Sequence, residues 1–418
     1  MRTWFAATVL AVLFSSPAVA RAAAPPDSSP AAAQPAPGGA AAQPDAAEQA
    51  RLEAEIARAL GQAATPPAQQ APAGQGATGG SPLARLLLLP DLSAVGSFAA
   101  VLDGYDAAGL SPRSGPTGPS GKPTFLFQEL ELALQAVVDP YARADVFVSF
   151  TPGEVAVEEA YLTTLSLPGG LQLRSGRLFS PFGRLNPTHP HTWDFLDAPL
   201  AHDRLLGEEK LAGPGVDASW LAPLPWFAEL HLAAQSTASY AGQAERFTGV
   251  ARLAQFVALS EAATLGVGLS AARRDEGTGA FRDLGGVDLL VKVRPPAGRA
   301  ALTLQGELFT RRLRGEAAPG EGGPDGWGAY LQLFWRQDAY SGIGLRWDRA
   351  PVAGGPGGTE PFAPGAEQRW SLVGDWFASE FQRLGLQASL DRRPGAAAGW
   401  EWLLHYEFVI GAHGAHPF

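Results

Sequence analysis

The chain has 418 residues, a formal net charge of −10 and no cysteine. The missing cysteine excludes a disulfide framework, a lipoprotein anchor, thiol catalysis and thiolate metal sites, and the acidic balance disfavours nucleic acid, which wants a basic surface. Its 50 glycines and its spread of Trp, Phe and Tyr fit one large β structure with many turns.

Arg2 precedes an apolar run over residues 4–14, and Ala18-Val19-Ala20 supplies small residues for cleavage. Residues 1–20 read as a secretory signal peptide, because the run is far shorter than the ~20 residues of a membrane helix. Residues 21–93 are low in complexity and rich in Ala, Pro, Gly and Gln, and cannot bury a core. Inside that segment a short helix is expected over 45–60, with Asp45 as N-cap, Leu52, Ile56 and Leu60 on one face, and Gly61 as its stop. Such a helix is marginal alone and must dock or self-associate.

From about Ala94 to Phe418 the pattern is strands. Leu130, Leu132, Leu134 and Ala136 alternate with Glu129, Glu131 and Gln135; Ala142, Ala144, Val146 and Val148 alternate with Arg143 and Asp145. Val287, Leu289 and Val291 alternate with Asp288, Lys292 and Arg294, and Leu302, Leu304 and Leu308 with Gln305, Glu307 and Arg311. This period of two means one apolar and one polar face. Long connections near 103–124, 179–213, 236–246, 273–282, 314–326, 350–367 and 392–398 alternate with short turns, apart from a short link at 151–154. Short turns on one side and long loops on the other, with an even strand number near sixteen, predict a transmembrane antiparallel β-barrel. Trp220, Trp226, Trp327, Trp335, Trp376, Trp400 and Trp402 fall near strand ends, as interfacial girdles do. The last strand alternates Trp402, Leu404, Tyr406, Phe408 and Ile410 with polar residues. Phe418 keeps the apolar parity and resembles the assembly signal read by the barrel assembly machinery.

The longest connection, 179–213, carries Pro181-Phe182-Gly183-Arg184, His189-Pro190-His191, Trp193-Asp194, Asp197 and His202-Asp203. It is too long and aromatic for a mere linker. On the strand count it is the third loop on the long-loop side. Folded into the lumen, it would present Arg177, Arg184, Asp194 and Asp197 as constriction residues. Lumen charges are expected from Glu129, Glu131, Arg143, Asp145, Glu159, Lys292, Arg294, Glu307 and Arg311.

Glu158-Glu159-Ala160-Tyr161, Gly176-Arg177, Pro181-Phe182-Gly183 and Trp193-Asp194 resemble the outer-membrane porin families related to the phosphate-selective porins. The resemblance implies a sixteen-stranded pore in the outer membrane of a Gram-negative bacterium, embedded in its lipid. It also implies a homotrimer, a third loop folded inward, and passive diffusion of small hydrophilic solutes or ions. The mixed signs of the lumen charges depart from a phosphate-selective ladder. The alternative is a receptor for a metal such as zinc, or a surface interaction protein. His189, His191 and His202 would be the metal ligands, although their spacing closes no motif and solvated loop histidines are the plainer reading. No cofactor is implied. No Gly-x-Ser-x-Gly elbow or triad pattern is present, so no enzyme is expected. The adjacent Glu158 and Glu159 are expected on opposite strand faces.

Overall fold

Side chains on a strand point alternately to its two faces, so each alternating segment must bury one and present the other. The computed structural model describes residues 90–103, 122–207, 210–238, 245–277, 279–295, 299–315, 325–351, 366–394 and 397–411. The signal peptide expected at 1–20, the helix expected at 45–60 and Phe418 lie outside the described residues. The strands are β1 (Asp91–Asp103), β2 (Thr124–Asp139), β3 (Ala142–Thr151), β4 (Glu154–Thr164), β5 (Leu171–Phe179), β6 (Ala212–Leu221), β7 (Phe227–Thr237) and β8 (Arg246–Ala258). They continue with β9 (Ala263–Gly277), β10 (Ala280–Val293), β11 (Ala301–Arg314), β12 (Gly326–Arg336), β13 (Ser341–Pro351), β14 (Ala366–Ser379), β15 (Gln382–Arg392) and β16 (Gly399–Gly411). Neighbours pair antiparallel, and β1 closes on β16.

The ring is apolar outside and polar inside. Leu302, Leu331, Leu345, Leu372, Leu386 and Leu404 are 39–51 % exposed, whereas Asp145, Asp217, Asp288, Glu307 and Arg346 are buried. A soluble sandwich would show the reverse. The outer surface therefore needs lipid or detergent, and closure leaves no unpaired edge to face it. Trp220, Trp226, Trp335 and Trp376 ring the short-turn end, and Trp327, Trp400 and Trp402 the long-loop end; all are outward and exposed.

Three local features depart from the alternation read in the sequence. The long connection expected at 273–282 is instead a tight turn between β9 and β10. Its charges sit on the paired strands: Arg273 Nε lies 2.7 Å from Asp283 Oδ1, and Arg282 Nε 2.9 Å from Glu276 Oε1. Cross-strand pairing lets polar residues continue the ladder. The register also slips at five places, three beside hairpin turns and two within the strands. Ser97 pairs Glu129 but Phe98 pairs Phe127, and Phe147 pairs Glu159 but Val148 pairs Val157. Each slip is a β-bulge that re-aims the residues beside it. The second places both Glu158 and Glu159 against one histidine of the loop between β5 and β6, which corrects the expectation of opposite faces.

Leu372 sits at mid-strand on the outward face of β14. Leu372→Arg is expected to cost about 2–4 kcal/mol if that row meets the middle of a bilayer. The check is the urea midpoint of folding into lipid vesicles; an unchanged midpoint would place the row away from hydrocarbon.

Candidate functional site

The connection from β5 to β6 is buried among inward-facing side chains of the barrel. Its chemistry begins with Phe182 and Gly183. Phe182 is fully buried against Phe309, Ala201 and Leu205. Gly183 has φ +63°, and a Cβ there would lie 2.5 Å from Glu307 Oε1. A left-handed turn at such close approach requires glycine. The turn brings the Arg184 amide to Glu307 Oε1 and the Leu185 amide to Oε2 at 3.3 Å. The Oε2 atom also meets the Tyr330 hydroxyl and His202 Nε2, each at 2.9 Å. One buried carboxylate on β11 thus gathers four groups.

Further along, a short helix, α1 (Leu200–Leu205), packs against β11, β12 and β13. Six residues cannot sustain a helix alone. The wall caps both ends: Asp348 accepts from the Leu200 amide at 3.1 Å, and Arg311 Nη1 donates to the Leu205 carbonyl at 3.4 Å. These groups satisfy backbone atoms that every helix end leaves open.

Asp197 is the other anchor. Its Oδ1 accepts from Arg346 Nη2 and Gln387 Nε2, both at 2.7 Å, and its Oδ2 from Arg369 Nη1. Arg346 also reaches Asp348 at 2.8 Å, and Arg369 holds Asp391 through two bonds at 2.6 and 2.8 Å. Arg383 donates to the Trp193 and Asp194 carbonyls at 2.8 and 2.9 Å. The loop is therefore fixed to β11, β13, β14 and β15 by charge-assisted bonds, the stronger class.

On the opposite side the loop meets β2 and β4. His189 Nδ1 lies 2.9 Å from Glu131 Oε2 and 3.2 Å from Glu158 Oε2, and its Nε2 3.1 Å from Glu159 Oε2. Burial alone would push the His189 imidazole down; the three carboxylates outweigh it and hold its pKa well above the ordinary value. Burial pushes the Lys210 ammonium below its usual value, against the pull of Glu158 and Glu159. That ammonium lies over the Phe179 and Trp193 rings, at 4.2 and 5.3 Å from the centroids. A cavity of about 620 Å³ runs between this part of the loop and the wall, bordered by Glu129, Ser149, Glu158, Arg177, Trp193 and Lys210.

The structure separates the residues expected at a constriction. Arg177 borders the cavity and donates from Nε to the Val157 carbonyl at 2.8 Å. Arg184 lies over the Phe256 ring at 5.5 Å, where burial pushes its pKa below the usual value. Asp194 accepts from Gln332 at 3.3 Å, and burial pushes its pKa up against the pull of Arg383. Asp197 is engaged as an anchor. Of the lumen charges, Glu129, Glu131 and Glu159 gather near His189, and Arg143 pairs with Asp145 at 2.9 Å. Glu307 and Arg311 hold the loop, and Lys292 faces inward from β10. Arg294 is not on a wall strand: it follows β10, and its backbone amide donates to the Ala262 carbonyl at 2.7 Å in the turn. The expected metal trio is also divided. His189 and His191 have ring centroids 5.8 Å apart, while His202 belongs to the Glu307 cluster. Lys210 and Arg369 were not singled out from the sequence, and Glu158 was read only as facing away from Glu159; an isolated loop lysine, one alternating arginine and a bulge carry little signal alone.

No family model matches the sequence. The chain is 28 % identical over 390 residues to an uncharacterized protein of Aquifex aeolicus, covering 81 % of this chain and 82 % of that protein. Among solved structures it is similar to the outer membrane channel DcaP of Acinetobacter baumannii (TM-score 0.52, 12 % identity), covering 77 % of this chain and 97 % of that one. It is likewise similar to an anion-selective porin from Comamonas acidovorans (TM-score 0.51, 8 % identity), with 77 % and 99 % covered. The chain thus has the sixteen-stranded barrel fold found in outer-membrane porins.

Truncating Asp197 to alanine leaves two buried guanidinium groups short of a partner. Breaking a buried pair in this way costs about 3–5 kcal/mol. The expected readout is faster hydrogen exchange of the amides at 193–205, with the strand amides unchanged. Protection equal to wild type would show that Asp197 does not hold the loop.

Proposed function

We propose that the protein is an outer-membrane pore for passive diffusion of small hydrophilic solutes or ions, narrowed by the connection between β5 and β6. The observation that carries this reading is the loop's attachment. Asp197, His202 and the Arg184 amide are tied to β11, β13, β14 and β15, while His189 reaches β2 and β4. A segment fastened on both sides of a wide lumen leaves the remaining cavity as the path. Sixteen strands enclose an aqueous channel unless something fills it, and an unfilled channel discriminates little.

The apolar exterior and its aromatic girdles support an outer-membrane location in a Gram-negative bacterium, with lipid as the surrounding phase. The two similar structures are described as an outer membrane channel and an anion-selective porin. A homotrimer is proposed from the resemblance of the loop motifs, and recognition by the barrel assembly machinery from the aromatic terminal strand. The charges along the path carry both signs: Arg177 and Lys210 face Glu129 and Glu158. That mixture gives a local field rather than a single-sign filter, and it does not suit a phosphate-selective ladder. Diffusion through such a lumen needs no catalytic group.

Planar-bilayer recording tests the reading. The intact protein is expected to form discrete channels, and deletion of residues 186–202 to raise their conductance and weaken ion preference. Absence of channels would sink the pore. Unchanged conductance in a correctly inserted deletion variant would show that the loop does not narrow it.

A further inference from the structure

We propose that Glu131, Glu158 and His189 form a binding site for a divalent transition-metal cation of the zinc class, facing the lumen where the loop meets β2 and β4. This goes beyond the pore reading and does not rest on it.

Four observations converge. The ligand atoms of the three residues lie within 4.8 Å of one another, and Nδ1 is 2.9 and 3.2 Å from the two carboxylate oxygens. Zinc bonds of about 2.0–2.2 Å at tetrahedral angles place ligand atoms roughly 3.4 Å apart, so a small outward movement admits the ion. Next, Glu159 holds the far nitrogen, Nε2, at 3.1 Å. A carboxylate behind the imidazole is the support that metal-bound histidines use, since it orients the ring and raises its basicity.

Third, Glu131 Oε2 and Glu158 Oε2 are buried and converge on one atom, His189 Nδ1, which carries at most one hydrogen. Glu131 is only 3 % exposed. Buried polar oxygens are rarely left without a donor; one imidazole N–H cannot serve both fully, whereas a cation between them can. Fourth, the backbone is deformed to assemble the group. The bulge in β4 turns Glu158 toward the lumen beside Glu159, and the bulge in β2 adds Gln128 beside Glu129. Regular alternation would have sent Glu158 to the lipid side. The patch then holds Glu129, Glu131, Glu158 and Glu159 against the fixed cations Lys210 and Arg177, and a doubly charged ion balances it.

Imidazole with carboxylates suits zinc and its neighbours rather than the all-oxygen shells of magnesium or calcium. Three protein ligands leave a fourth position open, as zinc sites that exchange a ligand do. Glu158 borders the 620 Å³ cavity, so an ion reaches the site from that cavity. His191, 3.6 Å from Glu131 Oε2, stands next to the open position.

The experiment is equilibrium binding of Zn²⁺ to the full chain in detergent micelles after chelation. One ion per chain is expected, with a rise in thermal midpoint and little competition from Mg²⁺. Glu131→Gln and His189→Ala are each expected to lower affinity at least tenfold, and Glu159→Gln by about 10–100-fold through the histidine. His231→Ala should bind as wild type, because His231 faces Asp217 and Glu229 elsewhere in the barrel. Glu158→Gln, at a partly exposed side chain, keeps the test open if the buried variants fold poorly. Absence of stoichiometric binding, equal affinity in folded Glu131→Gln or Glu158→Gln, or loss of binding in His231→Ala would each overturn the proposal.

Discussion

A sheet closed by sixteen strands satisfies its own backbone but encloses more space than its inward side chains can fill. The rest of this structure depends on how that space is occupied. The wall answers with charged residues, and the connection between β5 and β6 brings the groups that pair with them. Glu307 collects two amides, a tyrosine and a histidine; Asp197 collects two arginines and a glutamine. Neither constellation exists in the strands or in the loop alone.

Buried ion pairs are uncertain contributors to stability, because desolvation offsets much of their attraction. Here their stronger effect is on position. Arg346 and Arg369 each bind a wall aspartate and Asp197 at once, so the loop has one arrangement that leaves no charge alone. Small apolar clusters add to this: Phe182 under α1 beside Phe309, and Phe195 against Phe334 and Val373. These apolar residues point into the barrel and break the polar pattern of the inward faces. The loop covers them, so they are buried rather than wet.

The two ends of the loop differ in character. Toward β11–β15, arginines and aspartates share partners of opposite sign in a network around Asp197. Toward β2–β4, carboxylates exceed cations, and the cavity opens there. The bulge in β4 adds Glu158 to that surplus by interrupting, within the strand, the alternation that sorts polar from apolar. Local irregularity in an otherwise regular wall therefore marks the chemically distinctive side of the lumen.

The barrel was legible in the sequence because its signals are local. Alternation over ten residues, short turns such as Asp139-Pro140 and Gln337-Asp338, and tryptophans near strand ends each act within one strand or hairpin. Where two strands pair charges across a turn, as Arg273 with Asp283 does, a local reading mistakes strand for loop. The length and aromatic content of 179–213 singled out the right segment, but the partners of its side chains were not readable. Asp197 and Arg369 are 172 positions apart, and nothing local links them. The three histidines looked like one group in the chain; the fold sends His202 to β11 and His189 to β2 and β4. The facing of Glu158 depends on a one-residue slip between β3 and β4, which is settled by pairing rather than by composition. By itself the sequence determined the strands, their faces and their order, since period and turn chemistry are properties of neighbouring residues. Only the tertiary structure decided which charges meet, because ring closure brings distant strands around one loop.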